Sequence, residues 1–309
     1  MKHFTTLLIG SVLFAFILTF FSCKKKAFSP PGPIVASKKR ALLIGVEHTN
    51  AKPPPGQSFS PYATDDAKAN VEHVQRLLDF KGFRQYEVKK LISKSATAQA
   101  IIKEINFAAT ELRNGGLFVF YFMGHGLQVD GSDDYFPSIP EADNRDEAIV
   151  AFDSLIIDNR LYHAFSKFNS KVEVVMLFDC CNAGSFYALN FPECKPEICF
   201  PLDRSEIAYY KQQFNQNYKV LQSCPNSLMR NINGYDCKVL YLGSSFDTTT
   251  TDGPKIAPLI RQTWDSSDRL LSTYCGFINK FLDRYTAKVV VETSNNVDYR
   301  FLYKNLFLE

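Results

Sequence analysis

LFVFYFMGHG (residues 117–126) and VEVVMLFDCCNAGS (172–185) are the stretches on which the reading of this chain turns. Each opens as a continuous apolar run and closes on glycine beside a reactive side chain. The first delivers His125, the second Cys180 and Cys181. A run that is apolar on both faces and bounded by Gly reads as a central parallel strand covered by helices on both sides. In open α/β sheets, ligands bind outside the carboxyl ends of such strands. An imidazole and a thiol at two such ends are candidates to meet. A Cys needs a nearby base to become the thiolate that attacks carbonyl carbons.

Working outward, RALLIGVE (40–47) reads as the first strand and PPPGQSFSP (53–61) as a loop. TDDAKANVEHVQRLLDFKGF places Ala67, Val71, Val74 and Leu78 on one helical face, with Thr64 or Asp65 as cap, acids in its first turn and Gly82 past its end. YEVKKLIS (86–93) is a second strand. TAQAIIKEINFAATELRNGG is a second helix with an apolar stripe through Ile101, Ile105, Ala108 and Leu112. After the His strand come an acidic loop (130–153), a short helix near 155–168 and the Cys strand. Residues 186–237 are irregular, KVLYLGSS (238–245) is a strand and 266–285 a helix. AKVVVET (287–293) and DYRFLYKNL (298–306) form an expected terminal hairpin. Strands alternating with helices predict a three-layer α/β/α sandwich with a mostly parallel central sheet.

The 309 residues are ordinary globular in composition, 46% hydrophobic and 22% charged, and large enough for a sizeable core. The net charge of +3 is set by the N-terminus. Seven of the 35 Lys and Arg lie in residues 1–40 with no acid among them, leaving 28 bases against 32 acids in the body. Such a body gives no support for nucleic-acid binding. The N-terminus itself has Lys2, an apolar run from Phe4 to Phe21 and then Ser22-Cys23-Lys24-Lys25-Lys26, the secretory pattern. Its ending resembles a bacterial lipoprotein signal, which implies cleavage before Cys23 and lipid attachment, palmitate included, to that residue. The alternative is an uncleaved anchor, since about 18 apolar residues also span a bilayer. The expected organisation is a signal peptide (1–22), a lipid-anchored tether (23–39) rich in Lys, Pro and Ser, and one domain (40–309). The expected location is the cell envelope, anchored to a bacterial membrane.

Seven cysteines remain beyond Cys23, and an odd number in an oxidising compartment predicts at least one thiol. Cys194 with Cys199, and Cys224 with Cys237, are spaced so that each pair could bridge. No Cys-x-x-Cys occurs and the five His are scattered, so a structural zinc site is not expected.

His125 and Cys181 lie 56 residues apart. Here the chain resembles caspase-like cysteine peptidases of the metacaspase type. FYFMGHG is similar to their His motif, with Met123 where metacaspases commonly have Ser. FDCCNAGS is similar to their Asp-x-Cys-His-Ser-Gly motif, which aligns Cys181 with the nucleophile and leaves Cys180, facing the other way along the strand, as a core thiol or a redox element. DDYFPSIPEAD (133–143) and DEAIVAFDSLIIDNRL (146–161) resemble the segments between the motifs. The resemblance covers residues 40–185 well. It departs at Asn182 and Ala183, and DGPKIAPLIRQTW (252–264) lacks the family's Gly-x-Phe-Thr stretch.

The resemblance implies a caspase-haemoglobinase-like fold and a cysteine endopeptidase in which His125 assists Cys181. The backbone N–H of Gly126 and that of Cys181 would form the oxyanion hole. It also implies that Asp66 and Asp179 line a pocket for the Arg or Lys preceding the scissile bond, since a carboxylate pairs well with those side chains. The partners would be protein or peptide substrates, and the membrane through the N-terminal lipid. No cofactor is required. Some metacaspases use Ca²⁺, and the acids Asp130, Asp133, Asp134, Glu141, Asp143, Asp146, Glu147 and Asp153 suit that ion. A solvated acidic loop is the plainer explanation. Lys195, Arg204 and Lys211 are candidate self-processing sites. The rival reading is a catalytically silent binding or regulatory module with the same fold.

Overall fold

The computed structural model describes residues 39–54, 56–62, 66–130, 145–183, 229–232, 235–245, 255–265 and 290–294. The expected leader, the tether up to residue 38, the helix at 266–285, the second arm of the terminal hairpin, the candidate processing sites and Cys194, Cys199, Cys224 and Cys275 lie outside them, while Lys39, the last residue of the expected tether, already belongs to the first strand.

Seven described strands form one sheet in the order β2 (Val88–Ile92), β1 (Lys39–Gly45), β3 (Gly116–Met123), β7 (Val172–Asp179), β9 (Lys238–Gly243), β10 (Val290–Ser294), β8 (Met229–Ile232). The first five run parallel; β10 is antiparallel to β9, and β8 is parallel to β10. The two opening sequence runs are the two central strands, buried along nearly their whole length. Alternate residues of β3 face opposite layers. Phe118, Phe120 and Phe122 meet α2 (Ala98–Glu111) and α3 (Asp158–Phe165), whereas Val119, Tyr121 and Met123 share a cluster with α1 (Ala67–Phe80) and α4 (Ile256–Asp265). Each Phe buried there contributes roughly 1.5–3 kcal/mol. The result is the expected three-layer sandwich.

The helices follow their sequence stripes. Ile101, Ile105, Ala108 and Leu112 are buried, and the Thr97 side chain caps α2 by accepting from the Ala100 N–H at 3.2 Å. In α1 the expectation needs correction. The helix starts at Ala67, so its first turn holds no acid, and Asp66 is the cap residue in a left-handed conformation (φ 79°) without a side-chain capping bond.

The acidic loop is also corrected. Gly126–Asp130 (β4), Arg145–Val150 (β5) and Leu155–Ile157 (β6) pair antiparallel as a second, three-stranded sheet. Acidic side chains hid the strand pattern because three of them are bonded within the fold. Glu147 accepts from the Gln128 amide (2.8 Å), Asp146 from the Asn159 amide (3.1 Å), and Asp153 from the Ala98 N–H (2.8 Å). Helix α4 was missing from the sequence reading. It is short and carries Pro258, which is tolerated in a first turn, where the backbone N–H lacks an intrahelical partner anyway.

Candidate active site

Met123, the last residue of β3, is level with Asp179, the last residue of β7. His125 and Cys181 each lie two residues beyond those paired positions, on neighbouring strands whose spacing is about 4.8 Å. The two turns are in contact. A β-carbon on Gly126 would overlap the carbonyl oxygen of Cys181 and stand 3.1 Å from the Cys180 sulfur. The Asn182 side chain donates to the Gly126 carbonyl at 3.2 Å. Asn182 is left-handed (φ 47°), a conformation Asn tolerates better than most residues, and it turns the chain immediately after Cys181.

His125 is half-buried and held from the side of the early loop. Its Nε2 lies 3.0 Å from the Ser60 carbonyl oxygen and 3.2 Å from that of Tyr62. Carbonyl oxygens only accept, so Nε2 is the protonated nitrogen, and in the neutral ring Nδ1 keeps the lone pair. Phe59 packs a tilted ring at 5.7 Å from the imidazole. The loop is fixed in turn: the Thr49 hydroxyl donates to Ala151 O (2.7 Å), and the Gln57 amide donates to Gln128 O (2.7 Å). Nothing in the loop's sequence announced this role, because backbone carbonyls do the holding.

The two cysteines follow the end of β7 at Asp179 and sit in different surroundings. Cys180 is buried in the core on the α2/α3 side and Cys181 is partly exposed. Burial, with Cys181 and Asp179 nearby, pushes the Cys180 thiol well above its ordinary range. Cys237 is pushed up to about 12, chiefly by burial. Cys224, the expected partner of Cys237, lies outside the described residues. Alkylation of the native protein near neutral pH is expected to modify Cys181 and spare Cys180 and Cys237, as read by peptide mass. Equal labelling of Cys180 and Cys181 would contradict this placement.

The two specificity candidates sit differently. Asp66 is exposed at the start of α1. Asp179 is buried, and its carboxylate accepts from the N–H groups of Lys255, Ile256 and Ala257 (2.7–3.1 Å) and from the Tyr121 hydroxyl (3.2 Å). It therefore caps α4 and ties that helix to the end of β7. Sequence reasoning missed these partners, and also Ser244 and Ser245, whose hydroxyls both donate to the Cys180 carbonyl at 3.0 Å. Burial raises the Asp179 carboxyl above its ordinary value, against the opposing pull of its hydrogen-bond donors. A raised carboxyl adds stability in acid that is lost as pH climbs through its folded value. Asp179→Ala is expected to cost about 2–3 kcal/mol by orphaning buried donors. The deficit in urea unfolding should be largest in acid and shrink as pH rises; one that grew with pH would show the carboxyl lowered instead.

Among the described residues no group of three or more His, Cys, Asp or Glu could hold a metal ion. Asp146, Glu147 and Asp153 are engaged within the fold as given above, while Asp133, Asp134, Glu141 and Asp143 lie outside the described residues.

A partly exposed thiol and an imidazole thus stand on adjoining turns at matched ends of two central parallel strands of an α/β sandwich. The family described as Metacaspase, peptidase C14 domain, matches residues 39–190. The chain is 24% identical over 179 residues to Metacaspase-5 of Trypanosoma brucei brucei, covering 53% of this chain and 32% of that protein. It is 23% identical over 176 residues to Metacaspase-2 of the same organism, covering 52% and 45%. It thus spans less than half the length of either relative. A Geobacter sulfurreducens protein of solved structure superposes with a TM-score of 0.59 at 22% identity, over 88% of this chain and 98% of that one, a likeness of fold. The fold is that of a caspase-like α/β protein, and the sequence likeness to metacaspases lies in the part of the chain that carries His125 and Cys181.

Proposed function

We propose that the protein is a cysteine endopeptidase that hydrolyses peptide bonds after Arg or Lys. The observation that carries the reading is the pair of backbone carbonyls that hold the His125 Nε2. Nε2 lies within hydrogen-bond distance of the Ser60 and Tyr62 carbonyl oxygens, which leaves Nδ1 as the lone-pair nitrogen of a side chain whose turn adjoins that of Cys181. In the proposed reaction Nδ1 takes the Cys181 proton and the sulfur attacks the substrate carbonyl carbon. The resulting oxyanion accepts from the N–H groups of Gly126 and Cys181. The imidazolium then protonates the leaving amine as the C–N bond breaks, giving a thioester. Water, deprotonated by Nδ1, adds to the thioester; the carboxylic acid leaves and the thiol regains its proton.

For specificity, Asp66 supplies an exposed carboxylate for a substrate guanidinium or ammonium. Asp179 acts from beneath by fixing the β7–α4 junction and adding negative potential. The body is held at the cell envelope by its N-terminal segment, through lipid on Cys23.

Fluorogenic peptides ending in Arg, Lys or Asp test the reading. Arg and Lys peptides should be cleaved, and an Arg-directed covalent thiol inhibitor should label Cys181. Preference for Asp would sink the specificity. No turnover together with no labelling would leave the silent module.

A further inference from the structure

Lys39 opens β1, and it is level with Leu117 at the start of β3. The N-terminal segment therefore joins the body at the pole where the parallel strands begin. His125 and Cys181 stand beyond the other ends of β3 and β7, about 25 Å away at 3.3 Å per strand residue. The 38 residues that precede Lys39 include the apolar run Phe4–Phe21 and the triplet Lys24-Lys25-Lys26. The surface at this same pole is unusual. Of the four large hydrophobic side chains most exposed among the described residues, three lie here: Phe80 (69%), Tyr86 (67%) and Phe107 (51%).

Cations interleave with these rings. Arg40 lies 5.7 Å from the Phe107 ring and 6.0 Å from that of Tyr86; Arg84 lies 5.8 Å from Tyr86 and Lys81 5.8 Å from Phe80. The Lys39 ammonium donates to the Lys81 carbonyl at 3.2 Å, which joins the two halves of the rim. Arg40, Tyr86, Lys89 and Phe107 also line one groove between β2 and α2. The acids of this rim and its groove are Asp79, Glu87, Glu104 and Glu111, with Glu104 3.9 Å from the Lys89 ammonium. Glu111 is paired with Arg40 at 2.9 Å, and the Glu87 carboxylate accepts the Arg84 N–H at 2.7 Å.

We propose that this pole is a membrane-docking face that rests on an anionic lipid surface. The inference depends on the reading that the N-terminal segment anchors the chain to a membrane. Exposed aromatic rings among Lys and Arg side chains match the interface of a bilayer, where rings settle at the headgroups and cations meet lipid phosphates. The anchor makes docking intramolecular, so a weak face is enough. Residues 24–38 could extend to about 50 Å, and a tether of that reach alone would leave the body free to tumble. Docking by the strand-start pole instead turns the Cys–His site outward, away from the lipid.

The test uses the full chain extracted from membranes and reconstituted into vesicles of phosphatidylcholine with or without phosphatidylglycerol. In a Trp264→Phe background, single reporters Tyr86→Trp, Phe107→Trp and Tyr62→Trp are read by quenching from bromine-bearing phospholipid. The expected result is quenching at 86 and 107, none at 62, and dependence on phosphatidylglycerol. Lys81→Glu with Arg84→Glu should cut that quenching at least about twofold. Protein that floats with neutral vesicles yet shows no more quenching at 86 and 107 than at 62 overturns the face while keeping the anchor. Protein that floats with neither lipid overturns the anchor, and the inference with it. Protein that floats only with phosphatidylglycerol, and loses this in Lys81→Glu/Arg84→Glu, keeps the face and removes the anchor.

Discussion

Cys181→Ala is expected to lower turnover of Arg and Lys peptides by at least about 10⁴-fold, because no other group at the site can form the thioester. Stability should stay within about 1 kcal/mol of the parent, since Cys181 is only partly buried and its turn is held by other atoms. The Cys180 carbonyl is gripped by two serine hydroxyls, and Asn182 bonds to Gly126. Initial rates with urea unfolding on the same sample separate lost chemistry from lost folding. Turnover surviving in Cys181→Ala but lost in Cys180→Ala would reverse the assignment of the doublet. That outcome would contradict the burial of Cys180, whose thiol is held neutral inside the core.

Gly126→Ala has the second large effect, for a different reason. Gly126 is not among the residues with positive φ, so an alanine would suit its backbone. The obstacle is the Cys181 carbonyl, which occupies the space of the new methyl, with the Cys180 sulfur behind it. Neither is the loose end of a flexible side chain. The His and Cys turns must separate, at a cost of about 3 kcal/mol. A separation near 1 Å also removes the nucleophile from its base and lowers turnover by about 10²-fold or more. Thermal unfolding and peptide rates both report the change. Parent-like stability and rate would mean that the two turns do not approach this closely.

Much of this was legible in the chain. β3 and β7 were read to within a residue or two because they are apolar on both faces, a pattern few other elements share. α2 was equally plain, with a threonine cap and an uninterrupted stripe. The second sheet was not legible. In β5, Asp146 and Glu147 are buried with hydrogen-bond partners, and a strand carrying acids inward looks like a solvated loop until those partners are known. α4 escaped for a related reason. Its N-terminus is capped by Asp179, more than seventy residues earlier, so the local sequence carries no start signal.

The opening pair marks the same division. Residue order alone determined that a histidine and a cysteine would close two central strands, because strand burial is written in a run of apolar side chains. Which thiol of the doublet lies in the core was decided by the tertiary structure, because β7 is buried on both faces and ends at Asp179, before either cysteine. Only the tertiary structure decided which nitrogen of His125 carries the proton, because the Ser60 and Tyr62 carbonyls arrive from a loop more than sixty residues away. It alone decided that Asp179 clasps a helix while Asp66 stays open to solvent. Backbone partners and long-range caps depend on where the chain returns in space, and no local pattern of side chains encodes that return.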